Sequence, residues 1–150
     1  MKWIVIIGFF CSSISGCRPK GDGTTGKTDS VLVSRPDVEG CYRMTIGKDT
    51  ATLVVSYEGD SVKGALSYHW EQRDHNDGTI RGMLRDSLLV ADYTFQSEGI
   101  LSVREVVFKI QGDTLLQGYG EPVTVRDTVR FRDIGVLVYD SKHPFVKGCQ

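Results

Sequence analysis

The residues able to do chemistry in this chain of 150 residues are few and scattered. His69, His75 and His143 have no metal-ligand spacing with one another or with a cysteine, so no metal site is expected. Asp74-His75-Asn76-Asp77-Gly78 lacks the alternate-position ligands and distal glutamate of a calcium loop and reads as a long hairpin turn. Glu98 and Glu105 are candidate paired carboxylates. Strand alternation sends Glu105 to the face opposite Arg104, so the two are not expected to converge on a substrate. Ser97-Glu98-Gly99 is not the G-x-S-x-G elbow of a serine nucleophile. Gly21-Asp22-Gly23-Thr24-Thr25-Gly26-Lys27-Thr28 fits the phosphate-loop pattern letter for letter. That loop works only between a strand and a helix, and Asp29 to Pro36, which follow it, are not helical. No catalytic residue, cofactor or bound nucleotide is expected, and the chain reads as a non-enzyme.

The cysteines say more. One basic residue, Lys2, precedes an apolar run from Trp3 to Phe10 that is too short to span a bilayer, and small residues follow it. This is the layout of an export signal. The ending Ile14-Ser15-Gly16-Cys17 resembles the lipobox of bacterial lipoproteins. The resemblance implies cleavage before Cys17 and acylation of that residue, palmitate included, so membrane contact would run through lipid on Cys17. Arg18 follows it, and the lack of Asp there implies, by the same resemblance, an outer-membrane lipoprotein. No acidic cluster follows the cysteine, which favours the periplasmic face. Cys11 leaves with the signal, so Cys41 and Cys149 remain. In an oxidising envelope they are expected to form one disulfide. It would close a loop of about 108 residues, worth roughly 4–5 kcal/mol in the chain-entropy model.

Removing residues 1–16 takes away Lys2 and leaves 134 residues with 17 basic against 19 acidic side chains, a net charge of −2. That suits one domain with a real core and argues against a nucleic-acid binder. Residues 1–16 are read as signal peptide and 17–38 as the lipidated cysteine and a flexible Gly/Thr/Lys/Asp/Pro tether. The folded domain is read as 39–150.

From Gly40 the pattern is that of strands, at 40–46, 50–57, 60–71, 78–85, 87–95, 100–110, 113–120 and 123–131, separated by turn residues. No window offers a capped amphipathic helix. The fold class that follows is all-β: an eight-stranded antiparallel up-and-down barrel, with closure removing the exposed edges. Such a barrel holds packed side chains or one small ligand. Hairpin pairing places Leu53, Val55, Val62, Leu66, Tyr68 and Trp70 on one face. Ile80, Leu89, Tyr93, Phe95, Arg104, Val106, Phe108, Leu115, Gln117 and Tyr119 continue that face. Its polar members are the notable ones. Tyr68, Trp70, Tyr93, Arg104 and Tyr119 form a candidate pocket for a small anionic or apolar ligand. An interior Arg104 needs an acceptor, and Glu98, Glu121 or a bound anion could supply it.

The outward face of strands five and six carries Leu88, Val90, Leu101, Val103 and Val107. The C-terminal tail, with Ile134, Val136, Val138, Tyr139 and Phe145, is expected to pack outside over that surface and carry Cys149 to Cys41. Arg126, Arg130 and Arg132 read as a solvated, charge-guarded edge, with an anionic partner as the sharper alternative.

With its lipobox, short tether, eight-strand pattern and the stretch from Tyr93 to Phe108, the chain resembles small lipoproteins of Bacteroidota and looks lipocalin-like in architecture. Gly40-Cys41-Tyr42 stands where lipocalins carry G-x-W, so no lipocalin ligand transfers. The leading reading is a lipid-anchored periplasmic module, non-enzymatic, that binds a ligand or an envelope protein partner. An inhibitor of a cell-wall hydrolase, using the 96–99 or 74–78 loop, is the first alternative; an enzyme on an envelope substrate is the second.

Overall fold

Tight turns govern this chain from Gly40 onward, and they leave room for strands and little else. The computed structural model describes residues 35–71 and 75–149. The expected signal peptide, Cys17 and the phosphate-loop match lie outside them, as does Asp74. Seven strands follow in order: β1 (Gly40–Ile46), β2 (Asp49–Glu58), β3 (Ser61–His69), β4 (Asn76–Arg85), β5 (Leu88–Ser97), β6 (Ile100–Gln111) and β7 (Thr114–Tyr119). Each pairs antiparallel with the next. The hairpins turn on positive-φ residues, Gly47, Gly59, Asp86, Glu98-Gly99 and Gly112. Positive φ gives the turn the twist of the strands it joins.

The remainder of the chain makes four short strands: β8 (Pro122–Val125), β9 (Thr128–Phe131), β10 (Val138–Tyr139) and β11 (Phe145–Lys147). A 3₁₀ turn, Ile134–Val136, is capped by Asp133 Oδ1, which accepts from the Gly135 N–H at 2.8 Å. β11 pairs antiparallel with both β1 and β7 and closes an eight-stranded antiparallel barrel. β8, β9 and β10 lie outside it.

The expected class is thus what the protein adopts, but its eighth stave is not residues 123–131. That segment is a hairpin, β8–β9, bent at Arg126-Asp127, with Arg126 at φ 56°. β9 then pairs parallel with β6, Val103 opposite Thr128 and Arg104 opposite Val129. The tail does two jobs. Leu137, Ile134 and Tyr139 cover Val90, Val107 and Leu88 on the outside, as expected. Phe145, expected on that outer surface, instead belongs to the main core, edge-on to Phe108 at 5.4 Å between ring centres. Val136, Val138 and Leu101 stay exposed. Cys149 reaches Cys41 at disulfide distance, with Cα atoms 5.5 Å apart.

Most of the interior is solid. Tyr42, Leu53, Val62, Leu66, Ile80, Leu89, Phe108, Leu115 and Phe145 are all essentially fully buried. The packed domain also starts earlier than residue 39. Val38 is fully buried, and its carbonyl accepts from the Tyr42 hydroxyl at 3.2 Å. Arg35 lies 3.6 Å over the Tyr57 ring and donates to the Gly59 carbonyl at 2.8 Å. Residues 35–38 therefore cover the barrel end that carries the β2–β3 turn, and the tether expected to reach residue 38 is already docked there.

Candidate functional site

The opposite end of the barrel is built from different materials. There β3, β5 and β7 finish while β4 and β6 begin, and their inward residues are aromatic or polar instead of aliphatic. Tyr68, Trp70, Asn76, Tyr93, Phe95, Arg104, Val106, Gln117 and Tyr119 line one cleft of about 180 Å³. All five residues expected to form a pocket border this single space.

Its walls are ordered by stacking. Tyr68 and Trp70 lie nearly parallel, 5.7 Å between centres, and Tyr93 and Phe95 likewise at 4.7 Å. Tyr68 meets Tyr93 edge-on at 6.0 Å, so two aromatic pairs form a corner. Gly78 makes this possible. A Cβ there would stand 2.7 Å from Tyr93 Cε2 and would run into the Thr94 carbonyl oxygen. Hydrogen bonds fix the rings: the Tyr93 hydroxyl donates to the Asn76 carbonyl at 2.8 Å, and Gln117 Nε2 donates to the Tyr68 hydroxyl at 2.8 Å. Burial pushes the Tyr93 phenol up to about 12 and raises Tyr68 further still. Both are neutral hydroxyls at any physiological pH.

Two acceptors on residues that border the cleft are left over. Asn76 Oδ1 and Gln117 Oε1 are buried and have no hydrogen-bond partner among the described residues. Such atoms carry a desolvation cost until a donor reaches them.

Arg104 sits opposite Tyr93 on the inward-pointing face, with its guanidinium 5.6 Å from the centre of the Phe95 ring. Two expectations need correcting. The residue is exposed at the mouth, not enclosed. Neither Glu98 nor Glu121 holds it: Glu98 is at the tip of the β5–β6 hairpin, and Glu121 Oε2 accepts from Arg132 Nε at 2.8 Å. Among the described residues no carboxylate forms an ion pair with Arg104.

Sequence reasoning missed why the mouth is open. β6 and β7 stop pairing at Phe108–Gln117. Beyond that point β7 turns to β10, Tyr119 opposite Val138, while β6 takes β9. The seam widens into a second cleft of about 290 Å³ that shares Arg104, Val106, Gln117 and Tyr119 with the first. The Arg126-Asp127 turn is hidden in the sequence by the unbroken alternation around it.

The other expected chemistry does not assemble. Glu105 points outward, where Arg130 donates to it at 3.2 Å and meets Asp92 end-on through both terminal nitrogens at 2.9 and 3.1 Å. The Phe131 N–H also donates to Glu105, at 3.0 Å. Arg130 is therefore a clasp fixing β9 to β5 and β6. Arg132 is paired with Glu121, and Arg126 forms a turn, so the three arginines do not make an anion site. Asn76 to Gly78 belong to β4 and not to a hairpin loop. His69 and His75 lie 4.5 Å apart beside Asp77, an approach the spacing did not suggest. No group of three or more metal-binding side chains occurs among the described residues.

No protein family, curated protein or solved structure matches the chain.

Proposed function

We propose that this is a lipid-anchored envelope lipoprotein whose barrel is a non-enzymatic binding module for a small ligand. It would be held to the outer membrane through Cys17 and would face the periplasm. The observation that carries the binding part is the cleft at the open end. Aromatic side chains, an arginine with no carboxylate partner among the described residues, and two residues whose amide oxygens lack a hydrogen-bond partner there all border it. Ligand sites have this makeup: apolar faces with a few placed polar groups. The anchor part is supported by the Ile14-Ser15-Gly16-Cys17 ending and by one disulfide-forming pair, which suits an oxidising compartment.

Native mass spectrometry of the full-length protein isolated from its own host tests the reading. A retained small molecule that is lost in Trp70→Ala is expected; a ligand-free mass under conditions that preserve the fold would count against it. The inhibitor reading has one observation in its favour. Ile100 and Leu101, next to the Glu98-Gly99 tip, are 68% and 70% exposed. Inhibition of a cell-wall hydrolase that Leu101→Asp abolishes would favour it.

A further inference from the structure

Resting on the open end as the ligand site, we infer that the ligand is a single-chain anionic amphiphile, with its head at Arg104 and its chain in the seam between β6 and β7. The seam is a slot through the barrel wall. Strand alternation turns Arg104, Val106, Gln117 and Tyr119 inward and Glu105 and Gly118 outward, and all six border it. The four inward residues are those it shares with the barrel-end cleft, so the two spaces meet there. The β8–β9 hairpin supplies the outer lip through Pro122, Val129 and Phe131. The surface the slot offers is accessible and mostly apolar: Tyr119 is 52% exposed, Pro122 is exposed, and Val129 and Phe131 are half-buried. The barrel-end cleft offers polar and apolar surface about equally. Arg104 stands where the two spaces meet. It is exposed, permanently charged and has no carboxylate partner among the described residues.

The charges fix which way the ligand lies. On the outer side Arg130 is shared between Glu105 at 3.2 Å and Asp92 at 2.9 Å, one cation against two carboxylates. That side repels an anionic head, and the free guanidinium of Arg104 attracts it. The head therefore sits in the barrel-end cleft and the chain runs out along the apolar slot. Each wall strand contributes three consecutive residues to the slot, a length of roughly 7–10 Å, and the space is about 290 Å³. That suits one extended chain; a two-chain lipid needs a second slot. A neutral apolar ligand leaves Arg104 without an anion, and a small hydrophilic anion leaves the apolar lip in water. A carboxylate and a phosphate monoester are equally good heads for a guanidinium, so the class includes both.

Calorimetric titration of the full-length chain carrying Cys17→Ala, so that no detergent competes, tests this with decanoate, decyl phosphate, decanol and butyrate. Decanoate should bind saturably. Decanol should be weaker by roughly tenfold or more, as loss of a charge-assisted fork implies, and butyrate by roughly thirtyfold or more, as loss of buried methylenes implies. Arg104→Met should bring decanoate down to the level of decanol and leave decanol unchanged. Val129→Trp, which fills the slot, should weaken decanoate and decanol together and leave butyrate as it was. Pro122→Trp, at an exposed position on the same lip, replaces it if Val129→Trp fails to fold. Equal binding of decanoate and decanol, a preference that survives Arg104→Met, or chain binding that a folded slot-filling variant does not weaken overturns the inference. Silence of all four probes also overturns it, and the retained-ligand measurement then decides the broader reading on its own. A retained molecule that is uncharged or lacks a chain overturns this inference and keeps the open end as a ligand site. Tighter binding of decyl phosphate than of decanoate would identify a phosphate-headed lipid as the source, and the reverse a free fatty acid; both uphold the class.

Discussion

Tyr93 shows how a single side chain can serve packing and site together. The residue is 3% exposed, its ring stacked on Phe95 and crossed by Tyr68, while its hydroxyl is tied to the Asn76 carbonyl. Burial is the main reason its phenol titrates near 12, above the ordinary value of about 10. The sign of the consequence follows. Below about pH 10 the phenol is protonated in both the folded and unfolded chain, and its contribution to stability is fully present. Between about 10 and about 12 the unfolded chain loses the proton first, so stability falls as pH rises through that window. Denaturant midpoints measured from neutral pH upward should drop more steeply in the parent than in Tyr93→Phe. Parallel curves would mean that the ring titrates as if exposed. Arg104 is the contrasting case at this scale. Its face was legible from alternation, but its exposure was not, because alternation assigns a side of the sheet and says nothing about distance from the barrel's open end.

At the scale of elements, β11 decides whether the barrel is closed. It has three residues, yet among the described residues it is the only strand joining β1 to β7. It places Phe145 in the core, fully buried, and ends next to the Cys41–Cys149 link. Without that link, the tail would be held by Phe145 and by Leu137 and its neighbours alone. Cys149→Ser should therefore cost roughly 2–5 kcal/mol in reversible unfolding. It should also speed amide exchange along the β1 and β7 edges first, since those strands lose a partner. Uniform exchange, or no change in stability, would show that the tail docks without its staple. The eighth stave is also where sequence reading went astray. Three residues are too few for period-two alternation to stand out, while Val123 to Phe131 alternate over nine. A hairpin preserves alternation across its turn whenever the turn has two residues, and Arg126 takes a positive φ with no glycine to announce it. The same arithmetic protected the earlier hairpins. Val55 stands opposite Gly64 and Tyr93 opposite Arg104. A slip of two residues in either pairing keeps every side chain on its own face. The list of inward residues therefore does not depend on the pairing to within two residues, and neither does the set that lines the cleft. The seam between β6 and β7 had no comparable signal, because it depends on which long-range partner each strand finds.

On the scale of the whole molecule, the two ends of the barrel have separate duties. The chain enters at the filled end, where Arg35, Pro36 and Val38 pack beside the β2–β3 turn. The cleft opens at the other end. An anchor upstream of Arg35 would therefore join the domain at the end away from the mouth, and losing it should leave the mouth untouched. On the proposed reading, export to the envelope would depend on the signal and not on the lipid, so one substitution would separate the two. Cys17→Ala should move the protein from the detergent phase to the aqueous phase and abolish incorporation of an acyl label. The disulfide should still form, since Cys41 and Cys149 are both in the folded domain, and a ligand held in the cleft should be retained as in the parent, because the cleft lies at the end of the barrel away from the entry point of the chain. Continued partitioning with membranes and continued labelling would place the anchor elsewhere. Loss of ligand binding together with loss of the lipid would mean that the ligand is presented at the membrane surface, and that the two ends do not act independently.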